Sequence, residues 1–127
     1  MKKLIPILLC STVMFSSPSY AEWKKVSEGV SGNTFYVDLE RIRKNDGYVY
    51  WWTLSDFLKP DKWGYLSFKI YNQGDCKLFR YKRLSFSFHK EPMGGGTGSV
   101  DNNSDKNWRY PAPDRADENI LKSVCSR

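Results

Sequence analysis

Histidine and cysteine are scarce: 127 residues hold one histidine, His89, and three cysteines. The cysteines lack both the companion ligands of a metal site and the CxxC spacing of a redox pair. A Ser-His-Asp arrangement is formally open to His89, but no serine or carboxylate stands at a supporting spacing. His89, at a strand end beside Lys90, therefore reads as a solvated histidine. Carboxylates are scattered, and nothing selects two of them as an acid/base pair. The glycine run Gly94–Gly98 fails the GxGxxG pattern because Ser99 takes the last position, and no P-loop Lys-Ser/Thr pair follows it. It leads into a polar loop rather than a helix, so it reads as a mobile loop or tight bend. Internal repeats are missing too. These absences point away from an enzyme.

Long apolar runs are equally scarce, and the one present stands at the start. Met1-Lys2-Lys3 is a positive leader, Leu4 to Phe15 is mostly apolar, and Ser16 to Ala21 closes with small residues. That is the three-part pattern of a secretory signal, and its core is too short to span a bilayer. Residues 1–21 are expected to be removed by a cut between Ala21 and Glu22, which leaves 22–127 as one domain. Cys10 follows Leu9, not the small residue of a lipobox, so it belongs to the discarded core. No later stretch can form a transmembrane segment. Loss of Lys2 and Lys3 lowers the formal charge from +6 to +4, a basic excess too modest for a nucleic-acid-binding field. The expected location is outside the cytoplasm: periplasmic, outer-membrane associated or secreted.

Two cysteines then remain, Cys76 and Cys125. In an oxidising compartment they read as one disulfide, closing a loop of about 50 residues and stabilising by about 4 kcal/mol on the chain-entropy estimate. The intervening pattern is β-rich. Trp23 to Val26 and Thr34 to Val37 read as short strands, separated by Gly29-Val30-Ser31-Gly32-Asn33. Leu39 and Ile42 allow one helical turn, and Asn45-Asp46-Gly47 is a strong turn signal. Three longer strands follow, Tyr48 to Phe57, Tyr65 to Tyr71 and Cys76 to His89, with turns at Lys59–Lys62 and Asn72–Asp75. Their short connections argue for an antiparallel meander. In the third, Arg80 and Lys82 interrupt the apolar alternation, which suggests a bulge or overhang. Trp108-Arg109-Tyr110 offers a last short strand. Asp114 then caps a helix carrying Ala116, Ile120 and Val124 at four-residue spacing, with Leu121 and Cys125 beside them. An apolar helix stripe and an apolar sheet face need each other, so the fold class is α+β.

Lys77-Leu78-Phe79-Arg80-Tyr81-Lys82-Arg83 interleaves basic and aromatic side chains. Such strands stack rings and hold anions. Export argues against nucleic acid and for an acidic protein patch or an anionic glycan, with Lys77, Arg80, Tyr81, Lys82 and Arg83 as candidate ligand residues. Trp51 and Trp52 cannot share a strand face, so one indole lies outside the main core or under the helix. Trp52 joins the candidate set on that account, since exposed Trp anchors interfaces.

Tyr36-Val37-Asp38 with the Leu39–Ile42 turn, the strand of Trp51 and Leu54, Ser67 ahead of Cys76, the Gly94–Gly98 segment and Leu121-x-x-x-Cys125 together resemble the surface-adhesin protein E family. The likeness covers essentially the whole domain after Ala21. It implies an antiparallel sheet of about six strands with a C-terminal helix tethered to it by the disulfide. It also implies a non-catalytic adhesin that binds host matrix or serum proteins, such as laminin and vitronectin, and haem. The missing lipobox departs from a lipid-anchored adhesin, and leaves a second expectation: a soluble periplasmic accessory or inhibitor-like protein that binds another envelope protein.

Overall fold

A computed structural model describes residues 23–127 except 104 and 106. The expected signal segment and the Ala21–Glu22 cut lie outside the described residues. Seven strands form one antiparallel sheet: β1 (Trp23–Glu28), β2 (Thr34–Asp38), β3 (Arg43–Asn45), β4 (Tyr48–Asp56), β5 (Ser67–Asp75), β6 (Arg80–His89) and β7 (Ser99–Asp101). Their order across the sheet is β1-β2-β4-β5-β6-β7, with β3 paired to the start of β4. Among the described residues one α-helix, α1 (Ala116–Cys125), lies at the C-terminal end. The fold is thus sheet-dominated rather than an even α+β mixture. It has one strand more than the six expected, because the Asp46-Gly47 turn folds Arg43–Asn45 back onto Tyr48–Tyr50. Both turn residues have positive φ, 52° and 82°, matching the twist of a tight hairpin.

Alternation sends Val49 and Trp51 of β4 to the helix side, with Val37 of β2 and Tyr81 of β6. They pack on Ile120, Leu121 and Val124 of α1, and Val26, Leu39, Ile42 and Phe79 close the rim. Trp51, 2 % exposed, lies flat across Gly74 of β5. A Cβ at Gly74 would stand 2.6 Å from Trp51 Cζ3 and 3.1 Å from Leu121 Cδ1, so only glycine lets this indole seat. Cys76 and Cys125 are joined with Cα atoms 5.7 Å apart, which ties the far end of the helix to the sheet.

Several boundaries differ from expectation, each for a local reason. Asn72–Asp75 continues β5 instead of turning, because the Asn72 Nδ2 amide donates to Ile70 O and Thr53 Oγ1 and Gly74 makes room for Trp51. The turn falls at Cys76–Phe79, where Asp75 Oδ1 accepts the Leu78 N–H and Phe79 adopts φ 54°. Cys76 is therefore a turn residue, not the first of a strand. The expected bulge is present: Tyr71 faces Ser85 and Asn72 faces Arg83, so Leu84 is the extra residue. One added residue reverses the parity, moving Tyr81 and Arg83 to the helix side and Arg80 and Lys82 to the other. Trp108–Tyr110 makes no strand; Arg109 alone bridges Tyr81. Asp114 does not cap α1 with its side chain. The N-cap is Arg115, and the Asp114 N–H donates to Glu118 Oε1.

Candidate binding face

The sheet face turned away from α1 carries an aromatic series fixed by alternation and register. Tyr48, Tyr50 and Trp52 project from β4, Lys69 and Tyr71 from β5, and Arg80 and Lys82 from β6. Trp52 packs on Tyr71 at 4.8 Å between centroids, and Tyr71 stacks with Tyr50 at 6.1 Å. Lys69 Nζ stands 5.7 Å over Trp52. Trp108, brought over this face by the Arg109 bridge, stacks with Tyr48 and takes the Arg80 guanidinium at 4.2 Å and Lys82 Nζ at 4.5 Å from its ring centre. Stacking on an indole holds a long cationic side chain in place, at about 0.5–1 kcal/mol per contact at exposed sites.

Arg80 is further fixed by donating from Nε to Asp75 Oδ2 at 2.9 Å and from a terminal nitrogen to the Tyr110 hydroxyl at 3.4 Å. Burial, the largest single influence on Asp75, pushes its carboxyl up. The Leu78 N–H, the Arg80 guanidinium and the Lys77 N–H together outweigh that and hold it below the ordinary carboxylate value. Lys82 has no ion-pair partner among the described residues and keeps its charge for solvent or a ligand.

The basic–aromatic run is thus divided. Arg80 and Lys82 share a face with Trp52, and Lys77 is exposed in the turn before them. Tyr81 belongs to the core at 7 % exposure, donating its hydroxyl to Asp117 Oδ2 at 2.9 Å. Its phenol is raised from the usual value by burial first and by Asp117 second. Arg83 lines a cavity of about 70 Å³ beneath α1, with Trp51, Asn72 and Asp117. Tyr48 and Tyr50 are legible from their alternate spacing with Trp52, and the short strand expected at Trp108-Arg109-Tyr110 is reduced to the Arg109–Tyr81 bridge that carries Trp108 over the face.

His89 is not solvated. It is 3 % exposed, and the segment from Glu91 to Gly98 folds over it. Its Nδ1–H donates to Gly95 O at 3.1 Å, which leaves Nε2 to accept from Ser87 Oγ at 2.7 Å. Burial, then the nearby Lys69 charge, lowers its pKa from the ordinary 6.5. Gly98 closes the site: a Cβ there would lie 2.4 Å from Ser87 Oγ and 2.5 Å from His89 Cε1. This serine–histidine pair has no space for a substrate carbonyl. The arrangement does not fit a histidine-ligated haem either, since both ring nitrogens are engaged. Among the described residues no group of three or more His, Cys, Asp or Glu is placed to hold a metal.

A family model described as "Surface-adhesin protein E" matches residues 23–126. The chain belongs to this family. No curated protein matches it in sequence. Crystal form II of Haemophilus influenzae protein E superposes with TM-score 0.65 at 17 % identity, covering 91 % of this chain and 97 % of that one. A selenomethionine form of the same protein gives 0.66 at 15 % identity, covering 91 % and 94 %. Protein E from non-typeable Haemophilus influenzae gives 0.61 at 17 % identity, covering 90 % and 83 %. At these identities the likeness shows the fold, and an adhesin-like protein is what the family supports. No helix among the described residues is long and apolar enough to cross a membrane.

Proposed function

We propose that the chain is an exported, non-catalytic adhesin-type protein whose working surface is the sheet face opposite α1, with an acidic protein patch or an anionic glycan as partner. The observation that carries this reading is the pair of cations, Arg80 and Lys82, both seated on the Trp108 ring. Neither must be ordered from solution when an anion arrives, so less conformational entropy is lost on binding. Lys77 lies at the rim of the patch, and Trp52 supplies apolar contact on the same face. Tyr81 and Arg83 face the helix and take no part.

Immobilised laminin, vitronectin and heparin, titrated with the protein at about 0.15 M ionic strength, test the reading. The expected result is saturable binding that weakens with added salt and falls at least about tenfold in Arg80→Ala/Lys82→Ala. Absence of saturable binding, or an unchanged affinity in the double variant, overturns it. Leu9 ahead of Cys10 supports a second reading, a soluble periplasmic protein that binds another envelope protein. Release by osmotic shock, with Glu22 as the new N-terminus, is its expected signature; protease-accessible material on intact cells goes against it.

A further inference from the structure

On the helix side, the sheet continues past the core into rings that α1 does not enclose. Phe68 of β5 faces Phe88 of β6, and Ile70 faces Phe86, all on the Trp51 side by alternation. Phe68, Phe86 and Phe88 are half-buried, and none belongs to the cluster packed on α1. In the next pairing Ser99 of β7 stands opposite Phe88 and Asp101 opposite Phe86, which sets both polar side chains beside the rings. From the connection between β4 and β5, Tyr65 packs on Phe88 at 5.5 Å between centroids. Trp63, Tyr65, Phe88, Ser99 and Asp101 line a cavity of about 380 Å³, a volume typical of small-molecule sites.

The connection is held in shape before any ligand arrives. Asp61 Oδ1 accepts the N–H groups of Trp63 and Tyr65, both at 2.9 Å, and the Asp61 N–H donates to Tyr65 O at 2.9 Å. Lys62 Nζ stands 4.5 Å from the Trp63 ring centre and is not part of the lining; a planar ring has two faces, and the lysine takes one. Trp63 is 66 % exposed, and Ser99 and Asp101 are exposed too, so indole, hydroxyl and carboxylate are all open to solvent. Asp101 Oδ1 accepts the Asn103 N–H at 2.9 Å, and Asp101 makes no ion pair among the described residues. Among the described residues that line the cavity it is the one charged group.

We propose that this cavity binds a quaternary ammonium group, the trimethylammonium head of a choline-type molecule. The rings of Trp63, Tyr65 and Phe88 present the negative π-surface that attracts a cation, and Asp101 supplies the full charge that complements it. The aromatic lining selects methylation. A primary ammonium is strongly hydrated and must exchange its water for acceptors to three N–H donors. A trimethylammonium donates no hydrogen bond, and its methyl surface packs on rings while its charge stays within reach of the carboxylate. The pinned connection presents Trp63 and Tyr65 with little backbone ordering left to lose on binding. The site lies on the opposite sheet face from Arg80 and Lys82 and carries the opposite charge, so it stands or falls independently of that patch.

The test titrates the intact protein at constant ionic strength with choline, with dimethylbutanol, its uncharged isostere in which carbon replaces nitrogen, and with ethanolamine. The Trp63 indole N–H and Phe88 ring resonances report binding. The expected result is saturable binding of choline in the millimolar range, at least about tenfold tighter than dimethylbutanol or ethanolamine. Asp101→Asn keeps the acceptor for the Asn103 N–H and should erase the preference for choline over dimethylbutanol. Trp63→Ala, at an exposed position, should abolish saturation at the Phe88 ring. Arg80→Ala/Lys82→Ala should leave the choline affinity unchanged. Failure to saturate by about 50 mM, equal affinity for dimethylbutanol or ethanolamine, an undiminished preference in Asp101→Asn, unaltered binding in Trp63→Ala, or loss of binding in the Arg80/Lys82 double variant each overturns the assignment. Sedimentation of the protein with phosphatidylcholine vesicles, reversed by free choline, identifies a lipid headgroup as the source; choline binding without sedimentation identifies a free small cation.

Discussion

Trp51 and Trp52 are neighbours on β4, and the sheet sends them to opposite fates. Trp51 lies under α1, edged by Tyr81 and seated on Gly74, with no solvent contact worth the name. Trp52 stands on the open face, half-buried, between Tyr71 and the Lys69 ammonium. The helix side holds nearly all of the fully enclosed apolar volume, while the open side keeps its rings and cations accessible. One face is therefore enclosed beneath the helix, and the other is left open. The division also explains why a small sheet with one helix tolerates so many aromatics. Rings on the open side pack on each other and on lysine and arginine stems, so they need no second helix.

Substitutions on the helix side should cost the most. Trp51→Ala is expected to destabilise by about 3–5 kcal/mol, against less than about 1 kcal/mol for Trp52→Ala, measured by urea unfolding. Comparable losses for the two would erase the distinction between the faces. Next comes the tether. Replacing both Cys76 and Cys125 by serine should cost about 2–4 kcal/mol, since the bond closes 49 residues of separation and holds the end of α1 on the core. Gly74→Ala should follow at about 1–3 kcal/mol, because its Cβ meets the Trp51 ring and the packed Leu121 behind it leaves little room to yield.

Those helix-side features were largely legible beforehand. Cys76 and Cys125, the Ile120–Val124 stripe and the Tyr48–Asp56 strand all follow from patterns that are local: residue counts, four-residue spacing and β-branched or aromatic runs. The β5–β6 turn and the open face were harder to read, and for physical reasons. Asn72-Gln73-Gly74-Asp75 carries turn-forming residues, yet tertiary packing keeps it extended; the actual turn runs through Phe79 in a conformation no glycine announces. A single bulge at Leu84 then decides which half of the basic run meets Trp52, and a one-residue slip is invisible to composition. His89 reads as solvated from its own strand, because its enclosure comes from a loop that doubles back.

That loop gives a prediction intermediate in size. His89 is held neutral, with its pKa below the ordinary 6.5, by burial and by Lys69. As pH falls below that value, the unfolded chain takes up a proton that the folded one resists, so stability must decline on acidification. The decline begins near the unfolded value and ends once the pH has passed below the folded one. Asp56, which accepts the Met93 N–H, and Glu91, beside Gly95 and Gly96, are the carboxylates nearest this segment. Unfolding free energies measured from pH 7 to pH 5 should therefore slope downward in the wild-type chain and flatten in His89→Gln. An identical slope in both would place the acid sensitivity elsewhere.

Smallest in stability, and sharpest for the comparison, is the Arg80 and Lys82 pair. Both are partly solvated, and each stacks on an indole that is itself only half-buried, so surface-type interactions of a few tenths of a kcal/mol are all they can contribute. Arg80 should matter more than Lys82, since removing it also strips Asp75 Oδ2 of its side-chain donor. Arg80→Ala is thus expected to be measurably less stable than the wild-type chain, and Lys82→Ala to be close to it. Binding should rank differently. Lys82, whose charge is not spent on a carboxylate, should account for more of the salt dependence of ligand affinity than Arg80, whose charge is already shared with Asp75. Measuring the affinity of each single variant across a salt series separates the two roles. If the variant that loses more stability also loses more salt dependence, the open face is structural after all, and its rings and cations are packing rather than recognition.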